Sequence, residues 1–200
     1  FFIDIANAIA GWAAGGPAKV AVLSSGLMGT VSGSSVGNVA GTGAFTIPMM
    51  KKLGYRPEFA GAVEAAASTG GQLMPPVMGA AAFLMAEFVG VPYFDVVKAA
   101  VIPALLYYIG VWLGVHYEAK KYDLKGTPRE ELPSFKKLFV EKGHLALPLI
   151  VIVYLLVSGF TPMRAALAAI LLSIVCASLR ASTRITFKQG VQGLIDGSMG

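Results

Sequence analysis

The apolar block from Ala18 to Met50 is long enough for one helix, and its middle forbids one. The run Gly29-Thr30-Val31-Ser32-Gly33-Ser34-Ser35-Val36-Gly37-Asn38 carries three glycines, four hydroxyl side chains and an asparagine. Glycine loses the most backbone entropy in a helix, and short hydroxyl and amide side chains compete for the backbone's hydrogen bonds. Both types therefore favour turns. Split there, each half holds about 12–16 residues, short of the roughly 17–25 that a full bilayer crossing takes. The spacing predicts a re-entrant helical hairpin over 17–52, two half-length arms around a Gly/Ser tip. Bare peptide at membrane depth is tolerated only inside protein or beside a watery cavity, so the tip is expected in such a place.

A bilayer is implied by composition. Of the 200 residues, 56% are hydrophobic and 14% charged, against about 45–50% and about 25% in soluble domains. Disorder and a disulfide framework are excluded, the first by this apolar bias and the second by a single cysteine. The net charge of +5 does not point to nucleic acid. Its basic residues form short clusters between apolar stretches, the layout of cytoplasmic loops, with no basic stripe interleaved with aromatics. The chain opens on Phe1-Phe2-Ile3, with neither an initiator Met nor a signal peptide, and is read as a piece of a longer protein.

The rest of the chain fits the same plan. Phe2, Ile5, Ile9 and Trp12 fall at helical spacing, so residues 1–16 are expected to form an amphipathic interfacial or arm helix. After Lys51, Lys52 and Arg56, Pro57 opens a helix that breaks at Ser68-Thr69-Gly70-Gly71-Gln72 and meets Pro75-Pro76. Tandem prolines remove donors and clash with preceding carbonyls, so 57–90 is predicted to be a discontinuous transmembrane helix. A full span follows over 95–117, with Tyr107, Tyr108, Trp112 and Tyr117 read as an aromatic belt. A charged cytoplasmic linker occupies 118–143, two spans 144–180, and a further arm helix 182–200. Lys19, the Lys51–Arg56 group, the linker lysines and Arg180/Arg184 then share one face of the membrane. The predicted fold class is an all-α membrane protein.

A hairpin tip and a helix break both set unwound backbone and hydroxyls at mid-membrane. Half-helix carbonyls and hydroxyls there suit Na⁺, and half-helix N-termini attract anions. Ser34, Ser35, Asn38, Thr42, Thr69, Gly70, Gly71 and Gln72 can supply such oxygens. Small residues also permit close helix packing. The glycines and Ser24-Ser25 are assigned to packing, and Ser34, Ser35 and Asn38 to a site. Glu64 has two readings, an intramembrane functional carboxylate or a group facing the headgroups or a lysine. Glu87 and Lys98 are expected to snorkel. Cys176 is a packing residue, and His116 and His144 share no metal-ligand spacing with a carboxylate. No phosphate loop or zinc motif is present.

The stretch GGPAKVAVLSSGLMGTVSGSSVGNVAGTGAFTIPMMKKLGYRPEFAGAVEAAASTGGQLMPPVMGAAAFLMAEFVGVPY closely resembles the large, DctM-like membrane subunit of tripartite ATP-independent periplasmic (TRAP) transporters. More loosely, so does IPALLYYIGVWLGVHYEAKK. Together these cover about half of the chain, and the branch resembled is the fused permease served by TAXI-type binding proteins. The resemblance implies a secondary transporter in the inner membrane that imports organic anions such as carboxylates. A periplasmic TAXI-type protein delivers them, a small membrane subunit or its fused equivalent completes the carrier, and a Na⁺ gradient (or H⁺) drives it. It implies an elevator in which each of two inverted repeats gives a hairpin and a broken helix, with ions held where tip meets break. That carries over to Ser34, Ser35, Asn38, Gly70 and Gly71, with Thr42 and Gln72 placed toward substrate. No catalytic residue, cofactor or further metal site is implied. One hairpin and one broken helix are half of such a carrier, so this stretch alone is not expected to transport.

Two other classes compete. Gly33-Ser34 at a helix end, with His116 or His144 as base, is the outline of an intramembrane serine hydrolase. A non-transporting membrane scaffold is the third reading.

Overall fold

The computed structural model describes residues 1–128, 130, 132, 133, 138, 143–178 and 193. These are helical, with no strand among them, in two compact units, Phe1–Val140 and Glu141–Gly200.

Among its described residues the first unit has seven α-helices: α1 (Phe2–Ala10), α2 (Gly16–Ser32), α3 (Ser35–Asn38), α4 (Ala44–Lys52), α5 (Pro57–Gly70), α6 (Ala80–Val89) and α7 (Tyr93–Lys121). Punctuation follows the sequence. Pro17 and Pro57 stand in the first turns of α2 and α5, where a missing N–H costs nothing. At the end of α2, Gly33 takes φ +59, and a Cβ there would lie 2.0 Å from the Met78 carbonyl oxygen. Only glycine allows both the left-handed turn and that approach. The chain restarts at Ser34, whose Oγ accepts from the Gly37 N–H at 3.2 Å. A π-helical turn, Val39–Gly43, leads into α4. The returning arm lies along α2, with Asn38 Nδ2 donating to the Ser25 carbonyl at 2.8 Å.

α5 stops at Gly70, and the chain passes through turns and the Pro75-Pro76 pair before α6 begins at Ala80. Tyr93, at the start of α7, donates to the carbonyls of Pro76 and Val77 and stacks on Phe83 at 4.6 Å. The core gathers α2, α4, α5 and α7 through Ala18, Ala21, Val22, Met50, Ala60 and Val115. Half of these residues are alanine, which lets backbones approach closely where water supplies no hydrophobic drive.

α7 has 29 residues and is, among the described residues, the one helix long and apolar enough to cross a membrane. Only 22% of its most apolar window is buried. Ile102, Leu105, Leu106 and Ile109 are exposed, as on a helix facing lipid. α2 runs antiparallel to it. A Cβ on Gly15 would meet Ala119, Lys19 Nζ lies 3.1 Å from His116 Nδ1, and Gly26 lies against Tyr108. Extending that register puts Gly33 level with a point near Val101, roughly 12 Å short of the first residue of α7.

The basic residues meet at one end of this unit. Arg56 and Lys121 both lie over the Tyr122 ring, at 5.8 and 5.1 Å. Lys51 and Lys52 close α4, where the helix dipole favours cations. Lys19 stands toward this end as well, buried in α2 beneath His116 and Trp112. Tyr107 and Tyr108 are not an interfacial belt. Their hydroxyls donate to the carbonyls of Ala66 and Ala67 at 2.8 and 2.9 Å, tying α7 to the end of α5.

The second unit holds α8 (Leu147–Val157) and α9 (Pro162–Ser178), packed as a pair around a turn at Ser158–Gly159. Leu156, Ala165, Ala169 and Cys176 are buried, whereas Ile150, Tyr154, Leu167 and Leu171 are exposed. The expected arm at 182–200 lies outside the described residues apart from Gly193. Arg180, Arg184 and the linker's Arg129, Lys136, Lys137 and Lys142 lie outside them too.

Candidate functional site

Helix α5 carries Glu64 and Ser68 one turn apart on the face it turns toward the hairpin, and both are fully buried. The hairpin answers with Ser25 from α2, Thr42 from the π turn and Thr46 from α4, all buried. Glu64 Oε1 accepts from Ser25 Oγ at 3.0 Å, from Ser68 Oγ at 3.0 Å and from Thr42 Oγ1. Oε2 accepts from Thr46 Oγ1. No lysine or arginine among the described residues pairs with it. A bare carboxylate in a dry interior costs on the order of tens of kcal/mol. Hydroxyl donors offset that, each bond to a charged acceptor contributing about 1.5–3 kcal/mol. The headgroup-facing reading of Glu64 is thereby overturned.

The seven residues expected at the site fall into five places. Asn38 and Gly71 meet in the interior, where a Cβ on Gly71 would lie 2.8 Å from Asn38 Nδ2. Gly29 joins them, since a Cβ there would stand 2.4 Å from the Gly71 Cα. Hairpin and helix break are therefore in direct backbone contact. Asn38 is fully buried, and its Oδ1 has no hydrogen-bond partner among the described residues. Ser35 and Gln72 pair at the rim of the tip, Nε2 to Oγ at 2.9 Å. Thr42 belongs to the Glu64 cluster. Gly70 is packed beneath Tyr107 and Tyr108, and Ser34 is exposed as the cap of α3.

The sequence reading missed Ser25, Thr46 and Ser68. Ser25 was grouped with Ser24 as packing, and Ser24 does only bond back to the Ala21 carbonyl at 3.2 Å. The signal available was spacing: Thr42 with Thr46 and Glu64 with Ser68 are i, i+4 pairs, each a polar stripe in an apolar helix.

Among the described residues, the hydrolase reading has no histidine beside Ser34. His116 is engaged with Lys19 at the basic end, about 20 Å along α2 from the tip at its 1.5 Å rise. The His144 side chain lies outside the described residues. At that same end Tyr55 is buried without a hydroxyl partner among the described residues. Burial, then the Glu118 charge, pushes its phenol up to about 12, so it stays neutral at physiological pH.

The sequence matches the family described as the tripartite ATP-independent periplasmic transporter, DctM component, over residues 1–199. It is 32% identical over 171 residues to the C4-dicarboxylate TRAP transporter large permease protein DctM of Pseudomonas aeruginosa, covering 84% of this chain and 39% of that protein. A protein of the same description from Vibrio cholerae is 30% identical, with 84% and 37% covered. The sialic acid TRAP transporter large permease protein SiaM of Vibrio cholerae is 28% identical, with 82% and 38% covered. The chain thus spans about two fifths of the length of these relatives. On the extent of the family match, this all-helical membrane chain belongs to the DctM component of tripartite ATP-independent periplasmic transporters.

Proposed function

We propose that this chain supplies one of two halves of a transport site that imports organic anions across the inner membrane, driven by a Na⁺ gradient. The observation that carries the reading is the meeting of hairpin and broken helix at Gly29, Gly71 and Asn38. There an amide oxygen stands buried without a partner, beside the ends of two interrupted helices. Oxygen of this kind suits a hard cation, and helix ends at a break suit charged cargo.

On this reading 17–52 is a re-entrant hairpin, 57–90 a discontinuous transmembrane helix, and α7, α8 and α9 span the membrane. Asn38 with the backbone of Gly70 and Gly71 holds the ion, with Ser34 and Ser35 closing the tip. Thr42 and Gln72, proposed toward substrate, are divided by the fold: Gln72 at the rim faces the cargo, while Thr42 is taken up by Glu64. The register that stops Gly33 short of the start of α7 supports a hairpin that turns back within the membrane. Hairpin and broken helix move together as the elevator's cargo-bearing part. Two relatives are named for a C4-dicarboxylate and for sialic acid. Both are carboxylates, which supports that substrate class. A periplasmic TAXI-type binding protein delivers the anion, and a small membrane subunit or fused equivalent completes the carrier.

The test is uptake of labelled C4-dicarboxylate and sialic acid by the full-length permease in proteoliposomes with its binding protein, under separately imposed Na⁺ and H⁺ gradients. Uptake that follows the Na⁺ gradient is the expected result. Absence of uptake under every gradient overturns the reading and favours a membrane scaffold.

A further inference from the structure

We propose that Glu64 is a proton-binding site, a carboxyl that takes up and releases one H⁺ inside the hairpin–α5 interface as a charge carried beside the coupling Na⁺. The proposal rests on the transporter reading for the movement of that charge, though not for the binding itself. It starts from a buried titratable group that neither the ion nor the substrate assignment uses.

The oxygen geometry decides between a proton and a metal ion. Six oxygens gather here, two from Glu64 and one each from Ser25, Thr42, Thr46 and Ser68. Hard cations such as Ca²⁺ sit about 2.3–2.6 Å from each oxygen ligand, at the centre of a shell that holds the oxygens apart. In this cluster each hydroxyl oxygen stands at hydrogen-bond distance from a carboxylate oxygen, and Ser25 Oγ is also 3.1 Å from Thr42 Oγ1. These are contacts of oxygens that share protons rather than of a shell held apart around a central ion. A proton needs no such shell, because it lies on the line between two oxygens.

The same heavy-atom frame satisfies both charge states. With the carboxylate ionised, Ser25, Thr42 and Ser68 donate to Oε1 and Thr46 donates to Oε2. When H⁺ adds to Oε2, the new O–H donates to Thr46 Oγ1. The Thr46 hydroxyl then turns to the Thr42 carbonyl oxygen, 3.0 Å away. The Thr42 hydroxyl has a second acceptor of its own in the Asn38 carbonyl at 2.8 Å. Only hydroxyl hydrogens rotate. A carboxylate serving as a fixed clasp would need one set of partners, and here both sets are built.

Among the described residues, no charged side chain pairs with the group. On α2 the ionisable side chain is Lys19, held by His116 toward the opposite end. α3 and the π turn carry none. Lys51 and Lys52 on α4 and Glu58 on α5 are exposed. From α7 the nearest titratable groups are the phenols of Tyr107 and Tyr108, both donating to α5 carbonyls. Asp95 and Lys98 of that helix pair with each other at 2.6 Å on the surface.

Infrared difference spectra of the purified full-length permease, stepped between about pH 5 and pH 9, read the carboxyl directly. The expected result is a protonated-carboxyl band that appears with acid in the wild type. It is lost in Glu64→Gln and kept in Glu87→Gln, which changes an exposed glutamate on α6. Identical spectra for wild type and Glu64→Gln overturn the proposal. Should Glu64→Gln not fold, Thr46→Val takes its place. It keeps the carboxyl but deletes the Oε2 partner, so the band must move along the pH axis, and an unmoved band counts equally against the site. In proteoliposomes with a pH dye inside, substrate entry should acidify the lumen in wild type. In Glu64→Gln, acidification should fall to the leak of empty vesicles while substrate exchange continues. Uptake without acidification in the wild type sinks the proposal and leaves the transporter intact. An intact band with no uptake under any gradient sinks the transporter reading and leaves the proton site standing.

Discussion

Gly29→Ala tests the backbone contact that the reading depends on. The added methyl would lie 2.4 Å from the Gly71 Cα and 3.2 Å from the Gly71 carbonyl oxygen. Ordinary carbon–carbon contact is about 3.5–4.0 Å, so the deficit exceeds about 1 Å. Both sides are backbone, and no rotamer can turn aside. Hairpin and α5 must part by about that distance, and Ser25, Thr42 and Thr46 bond Glu64 across the same seam. Overpacking alone costs about 1–3 kcal/mol. Stretching one hydrogen bond to a charged acceptor beyond reach adds about 1.5–3 kcal/mol. The sum is a loss of roughly 3–6 kcal/mol. Gly61→Ala is the control, because a Cβ there meets nothing within 4 Å. Replacing a helix-interior glycine by alanine in open space should stabilise by about 0.5–1 kcal/mol. The assay is unfolding of the full-length permease in detergent, with uptake measured on the same preparations. The expected order of stability is Gly61→Ala, wild type, Gly29→Ala. Equal stability and uptake for the two variants would show that hairpin and break do not touch at Gly29.

Other substitutions probe the remaining features. Gly33→Ala should lower both stability and uptake well below Gly90→Ala in the same assays. Both sites have positive φ, but only the first also meets a carbonyl at 2.0 Å. Asn38→Ala should weaken the sodium dependence of uptake by about tenfold, or 1.4 kcal/mol. Ser24→Ala, on a hydroxyl that only bonds back to its own helix, should leave it unchanged, and superimposable sodium titrations would refute the ion assignment. Tyr108→Phe deletes the bond to the Ala67 carbonyl and should cost about 1 kcal/mol in unfolding measurements.

The interruptions were legible in the sequence because glycine, hydroxyl and tandem-proline residues act locally. Gly33 and the stretch from Gly71 to Gly79 break helices wherever they sit, and the helices on either side begin and end close to them. What could not be read was which polar residues converge. Ser24 and Ser25 differ by one position, about 100° around the helix axis, and only packing shows which of them faces α5. Glu64 becomes a centre once four hydroxyls from different elements are brought to it, and each of those looks unremarkable in its own segment. Tyr107 and Tyr108 were misplaced for the same reason, since composition assigns tyrosines to interfaces without knowing which neighbour will accept them.

The grip on Glu64 also sets where this unit can slip. Three bonds to one carboxylate, together with glycine backbones in contact, clamp the hairpin to α5. Between α5 and α7 the side-chain hydrogen bonds among the described residues are two phenol–carbonyl bonds, at about 1 kcal/mol each. The polar clamp of α5 is therefore stronger toward the hairpin than toward α7, and a force that parts the unit should meet the weaker joint first.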